Sequence, residues 1–163
     1  MKRMKHLSHV SFWMCLFSIL SCVQSENSLR GSIRDLYALD FQSVQIELIG
    51  GEGISIAYVS PISGSSDFEE AAKILIDNSQ LSIEANVPID LVQSSVLSRF
   101  RLVQGSSGLE EDRQPFPAMH TATLTFTEFS YQSNSPIAGY FSISFINGDT
   151  LLGDFRANLS IAN

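Results

Sequence analysis

The stretch that decides the fold is residues 139–161, GYFSISFINGDTLLGDFRANLSI. Apolar and polar residues alternate on both sides of Asn147-Gly148, which is the period of strands that bury one face. Asparagine followed by glycine is a frequent turn between two such strands. The stretch therefore predicts a β-hairpin.

The length of the hairpin loop decides which side chains face the core. A two-residue turn would set Phe141 opposite Asp154, and the apolar faces of the two strands would disagree. A three-residue loop at 146–148, with Gly148 in the left-handed conformation, instead gathers the odd-numbered apolar residues on one face. We predict this second register. In it each of two phenylalanines lies across from a glycine, Phe141 from Gly153 and Phe155 from Gly139.

The rest of the chain also alternates, with turn residues between the segments, and this predicts an all-β fold. About nine strands favour an antiparallel β-sandwich with the C-terminal hairpin as a meander, the alternative being a closed, lipocalin-like β-barrel. Pro88 restricts its strand to an edge, and a shift of phase predicts a bulge near Thr127 or Glu128. The predicted strands outside the hairpin are 28–34, 44–48, 54–58, 72–77, 81–85, 87–91, 96–104 and 119–126.

Two segments do not follow the strand period. Capping residues near Asp67 favour one helical turn over 67–71, before a strand over 72–77. Residues 105–117 have neither period, so we expect a loop that is either functional or disordered. Leu109 and Phe116 are apolar residues in this acidic loop and are candidates for contact with a partner, as is Tyr140 on the face opposite Phe141.

The first 22 residues have the pattern of a targeting segment. Lys2, Arg3 and Lys5 precede an apolar run at 10–20, which is too short for a membrane span of about 20 residues and is typical of a signal peptide. The run ends in ILSC at 19–22, which resembles the lipobox of bacterial lipoproteins. The resemblance implies that Cys22 becomes a lipidated N-terminus, whereas ordinary secretory cleavage would follow Ser25.

The resulting organisation is a lipoprotein signal peptide at 1–21, a tether at 22–28 and one domain at 29–163. Removal of the signal peptide leaves 7 basic and 17 acidic residues, a formal charge of −10. Nucleic acid and anionic headgroups are therefore poor partners, and the membrane is expected to be reached through the lipid anchor. Cys22 would be the one cysteine left, so no intramolecular disulfide is expected.

The mature chain has few residues for catalysis. His120 is its one histidine, so a Ser-His-Asp triad would need it, while a Cys-His nucleophile and a zinc site lack their residues. Asp149 and Asp154 would fall on opposite faces of the hairpin and could not share a glycosidase site. The acidic runs at 67–70 and 110–112 lack the spacing of a calcium loop. We expect no cofactor and no metal.

These observations predict a non-enzymatic protein of the bacterial cell envelope, anchored by lipid to the periplasmic side of the outer membrane. Its role would be that of a binding or structural module. The alternative function is a barrel-type carrier of a small apolar ligand, and a hydrolase is disfavoured. The closing pattern at 151–159, Leu-x-Gly-x-Phe-x-Ala-x-Leu, is similar to the ending of many small bacterial envelope lipoproteins, a likeness that carries no activity.

Overall fold

Ten strands and one short 3₁₀ turn make up the computed structural model, which describes residues 27–50, 53–77, 83–104 and 108–161. The predicted signal peptide and Cys22 lie outside the described residues. No helix within those ranges is long and apolar enough to cross a bilayer. The elements are β1 (Ser28–Arg30), the 3₁₀ turn (Ser32–Asp35), β2 (Ser43–Ile49), β3 (Gly53–Pro61), β4 (Phe68–Asp77), β5 (Pro88–Asp90), β6 (Ser95–Gln104), β7 (Leu109–Asp112), β8 (Met119–Glu128), β9 (Pro136–Phe145) and β10 (Thr150–Ile161).

The strands follow one another in the order β5-β8-β9-β10-β2-β3-β4-β6-β7. Neighbours are antiparallel except β10 and β2, which pair in parallel at the end of β10, while β1 pairs with the first half of β10. The path is not closed into a barrel, so the sheet is consistent with a sandwich of two layers, β5-β8-β9-β10 and β2-β3-β4-β6-β7. The predicted all-β sandwich is confirmed, and the lipocalin-like barrel is wrong.

The C-terminal hairpin adopts the predicted register. Gly153 pairs with Phe141, and Phe155 pairs with Gly139. Gly148 has φ of 89°, and its N–H donates to the carbonyl oxygen of Phe145 at 3.0 Å, as a three-residue loop requires. Burying one face of both strands therefore selected the register over the commoner two-residue turn.

Aromatic side chains join the two layers. Tyr58 of β3 is fully buried, and its ring meets that of Phe141 edge to face with the centroids 6.1 Å apart. The Tyr58 hydroxyl donates to the carbonyl oxygen of Asp154 at 2.9 Å. Burial, together with the nearby Asp154 charge, raises the pKa of Tyr58 well above its usual value, so the hydroxyl keeps its proton.

Strand β4 runs without a helical turn, and the prediction of one over 67–71 is wrong. Phe68 pairs with Pro61 of β3, and Glu70 pairs with both Val59 of β3 and Phe100 of β6. Hydrogen bonding to a strand on each side outweighs the local capping signal. A β-bulge interrupts β4 at this point, because the register with β3 shifts between Glu70 and Ala72. As a result two consecutive residues, Ala71 and Ala72, are both buried.

Several smaller expectations can be compared with the strands. Pro88 begins β5 at the edge of the sheet, as predicted. The register of β8 shifts between Phe126 and Glu128, where the bulge was expected. Ile83 lies outside any strand although it is buried. The strand predicted at 28–34 begins at Ser28 as expected, but it ends at Arg30, and Ser32–Asp35 form a 3₁₀ turn instead.

Candidate functional site

The outward face of β3 carries unusually small side chains. Ile54, Ile56 and Tyr58 point into the core, so the alternate residues point away from the other layer. Because β3 lies between β2 and β4, which carry longer side chains, the small residues form the bottom of a trough. We call this trough the outer groove; its floor is Gly53, Ser55, Ala57 and Val59.

The floor is shielded from solvent even though it faces outward. Ser55 is 2% exposed, Ala57 6% and Val59 1%. Side chains directly opposite each other on neighbouring strands have Cβ atoms about 5 Å apart, so longer side chains on both flanks can cover a small one. The cross-strand rows on this face are Ile49–Gly53–Asp77, Glu47–Ser55–Leu75–Val96, Gln45–Ala57–Lys73–Ser98 and Ser43–Val59–Glu70–Phe100.

The outer groove contains two cavities of different character. The larger has a volume of about 450 Å³ and includes three apolar side chains on its walls, Ile49, Leu75 and Val96. The smaller has a volume of about 300 Å³ and contains Ser55 and Ala57 with polar walls. Ser55, which lines the smaller cavity, pairs across the strands with Leu75, which lines the larger one. Both volumes lie within the range of small-molecule sites.

The polar cavity is acidic. Lys73 donates to Glu70 at 2.8 Å, so the cation in the groove is already paired. The carboxylate of Glu47 is half-buried and makes no hydrogen bond or ion pair with any residue the structure describes. Asp67 and Asp77 add two further carboxylates to the walls. The groove is therefore suited to a cationic group rather than an anion.

The hydroxyl of Ser55 is the unusual polar group of the floor. No hydrogen bond joins it to another group of the described segments, although the residue is 2% exposed. Its oxygen is nevertheless accessible from the groove, since Nε of Arg99 is the one fully buried side-chain polar atom without a partner among the described residues. A ligand or a water molecule in the groove can therefore complete the hydrogen bonding of Ser55. The outer groove is therefore a polar site with an unused hydrogen-bonding group.

Comparison with known protein families, characterised proteins and solved structures finds no match. Within the described segments, the outer groove combines a cavity with a hydroxyl and a carboxylate that have no partner there.

The residues predicted to contact a partner do not form one surface. Leu109 is 67% exposed on β7, and Tyr140 is 49% exposed on β9 in the other layer. Phe116 is buried, with its ring stacked on Phe145 at 5.9 Å and edge to face with Tyr37 at 5.3 Å. The expectation that Phe116 is available to a partner is therefore wrong, because its ring is packed in the core.

The segment at 105–117 is more ordered in its described part than we expected. Residues Leu109–Asp112 form β7 and pair with β6. This pairing brings Asp112 to the buried side chain of Arg99, whose Nη1 donates to it at 3.1 Å. The Arg99 guanidinium also lies 4.7 Å from the centroid of the Tyr37 ring. The acidic residues of this segment thus include a structural ion-pair partner.

The titratable groups weighed for catalysis are dispersed. Asp149 accepts from Ser32 at 3.0 Å, whereas Asp154 accepts from Ser28 at 2.7 Å and from Arg30. Burial pushes the pKa of Asp154 upward, but the Ser28 and Arg30 hydrogen bonds and the Arg30 charge outweigh it and hold that pKa below its usual value. His120 is exposed at a second register shift of β8. The described residues contain no cluster of three or more His, Cys, Asp or Glu that could hold a metal ion.

Proposed function

We propose that the protein is a non-enzymatic, lipid-anchored protein of the bacterial cell envelope that binds a small ligand in the outer groove. The observation that carries the binding role is the Ser55 hydroxyl, which lines the floor of a cavity, is accessible from it and has no partner among the described residues. A ligand that bonds to it would take the place of solvent at this hydroxyl. A purely structural module would not need this trough.

The lipid anchor rests on the leader, with its basic residues, its apolar run and Cys22. The backbone N–H of Arg156 donates to the Asn27 side chain at 2.5 Å, and the Asn27 amide donates to the carbonyl oxygen of Arg156 at 3.3 Å. Asn27 is therefore docked on β10. The chain between Cys22 and Asn27 can span at most about 18 Å, so an anchor at Cys22 would hold the domain close to the bilayer.

The carrier proposed as an alternative would have held its ligand inside a barrel, and the open sheet with its filled interior excludes that arrangement. The outer groove offers a site on the surface of one layer instead. Its two cavities are open to solvent along one face of β2, β3 and β4, so a ligand could enter without movement of the core.

Parallel purification from native envelope tests the binding role. Wild type, Ala57→Leu and Ala118→Leu are purified under the same conditions, and small molecules extracted from each are compared by mass spectrometry. The leucine at 57 projects into the smaller cavity, whereas Ala118 is exposed outside the groove. We expect a compound enriched with wild type and Ala118→Leu and lost from Ala57→Leu. Identical extracts from three equally stable proteins would contradict a ligand in the groove.

A further inference from the structure

Two unused polar groups of the outer groove lie side by side. Glu47 and Ser55 are direct cross-strand partners on the same face, so their Cβ atoms are about 5 Å apart. The carboxylate accepts hydrogen bonds only, while the hydroxyl can accept or donate. An ammonium group has three donors, so it can bond to both oxygens at once.

The apolar cavity begins at the same row. Leu75 pairs with Ser55 on one side and with Val96 on the other. Leu75 is 37% exposed, Val96 62% and Ile49 38%, which is substantial apolar surface left to solvent. Gly53, which lies between Ile49 and Asp77, leaves the floor open there. An apolar tail that starts at Ser55 would cover these side chains and remove them from water.

The backbone under the groove disfavours an extended peptide as the occupant. Strand β3 pairs with β2 along one edge and with β4 along the other, so its amide and carbonyl groups are used within the sheet. Peptides that bind sheets usually add as a strand at a free edge, where such groups are available. Recognition in this groove therefore depends on side chains, which suits a small amphiphilic molecule.

The charge of the walls disfavours an anionic head group. Four carboxylates line the two cavities against one ammonium, which is already paired with Glu70. A carboxylate or phosphate placed beside Glu47 would be repelled by it. The wall residues that carry charge are Glu47, Asp67, Glu70, Asp77 and Lys73.

We infer that the outer groove binds a small primary amine with an apolar tail. The ammonium lies between the carboxylate of Glu47 and the hydroxyl of Ser55, and the tail lies against Ile49, Leu75 and Val96 in the larger cavity. This inference rests on the proposed binding function and names the ligand class of the same site.

Isothermal titration calorimetry of the full-length protein in zwitterionic nanodiscs tests the inference, with empty nanodiscs measured alongside. The probes are hexylamine, hexanol and hexanoate, which share a tail and differ in the head group. We expect hexylamine to bind at least about tenfold more tightly than hexanol, because a hydrogen bond to a charged group is stronger than a neutral one. Hexanoate should bind more weakly than hexanol.

Matched variants assign the effect to the two polar groups. Glu47→Gln should weaken hexylamine about tenfold or more and change hexanol by less than about twofold, since only the amine uses the charge. Glu84→Gln, the same substitution at an exposed site outside the groove, should match wild type. Ala57→Leu places a larger side chain in the cavity that Glu47 and Ser55 line, and it serves as the variant in which the groove is blocked.

Each other result overturns the amine assignment. Equal binding of hexylamine and hexanol, or full hexylamine affinity in Glu47→Gln, would mean that Glu47 is not a cation site. If hexanoate bound more tightly than the other probes, Lys73 and not Glu47 would select the charge of the head group. If no probe binds while native extracts still differ between wild type and Ala57→Leu, the amine class is wrong and the groove remains a binding site. If the extracts are also identical, both proposals fail.

Discussion

Replacing Gly153 by alanine would place a methyl group where the core is already filled. A Cβ built on Gly153 lies 2.5 Å from Cζ of Phe141 and 2.8 Å from the hydroxyl oxygen of Tyr58. Carbon atoms in contact normally stay about 3.5 Å or more apart. Phe141 is 2% exposed and Tyr58 is fully buried, so neither ring can turn into solvent to make room.

The cost follows from two separate effects. Forcing a methyl group into a packed core costs about 1–3 kcal/mol. Displacing the Tyr58 hydroxyl from the carbonyl oxygen of Asp154 would leave buried polar groups unpaired, for a further 1–3 kcal/mol or so. We therefore expect Gly153→Ala to lower the free energy of unfolding by about 2–6 kcal/mol, a large part of the usual 5–15 kcal/mol of a domain.

Equilibrium urea unfolding measures this loss, and Gly53→Ala is its matched control. Gly53 also lies in a strand, but the nearest atom to its built Cβ is 3.5 Å away, so this alanine should be neutral or stabilise by up to about 1 kcal/mol. Adding Phe141→Leu to Gly153→Ala should recover part of the loss, because the smaller side chain leaves space. A Gly153→Ala protein within about 0.5 kcal/mol of wild type would refute the packing account of the hairpin.

Three further predictions concern charge and processing. The pKa of Asp154 is lowered in the folded protein, so its contribution to stability is present at neutral pH and is lost as the pH falls below about 4. The difference in unfolding free energy between wild type and Asp154→Asn, measured by urea unfolding, should therefore shrink over that range. Asp112→Asn leaves the buried Arg99 without its carboxylate and should lower the free energy of unfolding by on the order of 3 kcal/mol. Glu111→Gln, at an exposed ion pair on the same strand, should lower it by less than about 1 kcal/mol. Equal losses for the two variants, measured by thermal or urea unfolding, would contradict the structural role of Asp112. Intact mass of the membrane fraction should show a chain that starts at a lipidated Cys22, and a soluble product that starts at residue 26 would disprove the anchor.

Periodicity alone was sufficient for most of the fold. In the hairpin at 139–161, both strands must bury their odd-numbered residues, and this condition excludes the two-residue turn that Asn147-Gly148 would otherwise favour. The segment at 67–77 was harder, because its capping residues are local signals while the strands that pair on both sides of β4 are distant in sequence. Phe116 was misjudged for a related reason, since a single aromatic residue among prolines and charges has no period that shows which way it points.

The outer groove could not be predicted from the sequence. Ser55 and Ala57 occupy the polar positions of an alternating strand and look like ordinary solvent-facing residues. They are buried because the longer side chains of neighbouring strands cover them. Gln45 of β2 and Lys73 of β4, for example, lie on either side of Ala57. The small residues at alternate positions of 53–57 were visible in the sequence. They indicate a groove only when the strand has neighbours on both sides, and the sequence does not show which strands pair.

An experimental structure of the protein purified from its native envelope tests the central claim most directly. We expect a bound molecule in the outer groove, with a polar atom within hydrogen-bonding distance of the Ser55 hydroxyl and an apolar part against Leu75. The same preparation of Ala57→Leu should show the groove empty of that molecule. A wild-type groove that holds only ordered water, or one in which Gln45 and Lys73 meet across Ala57 and close the trough, would contradict the account.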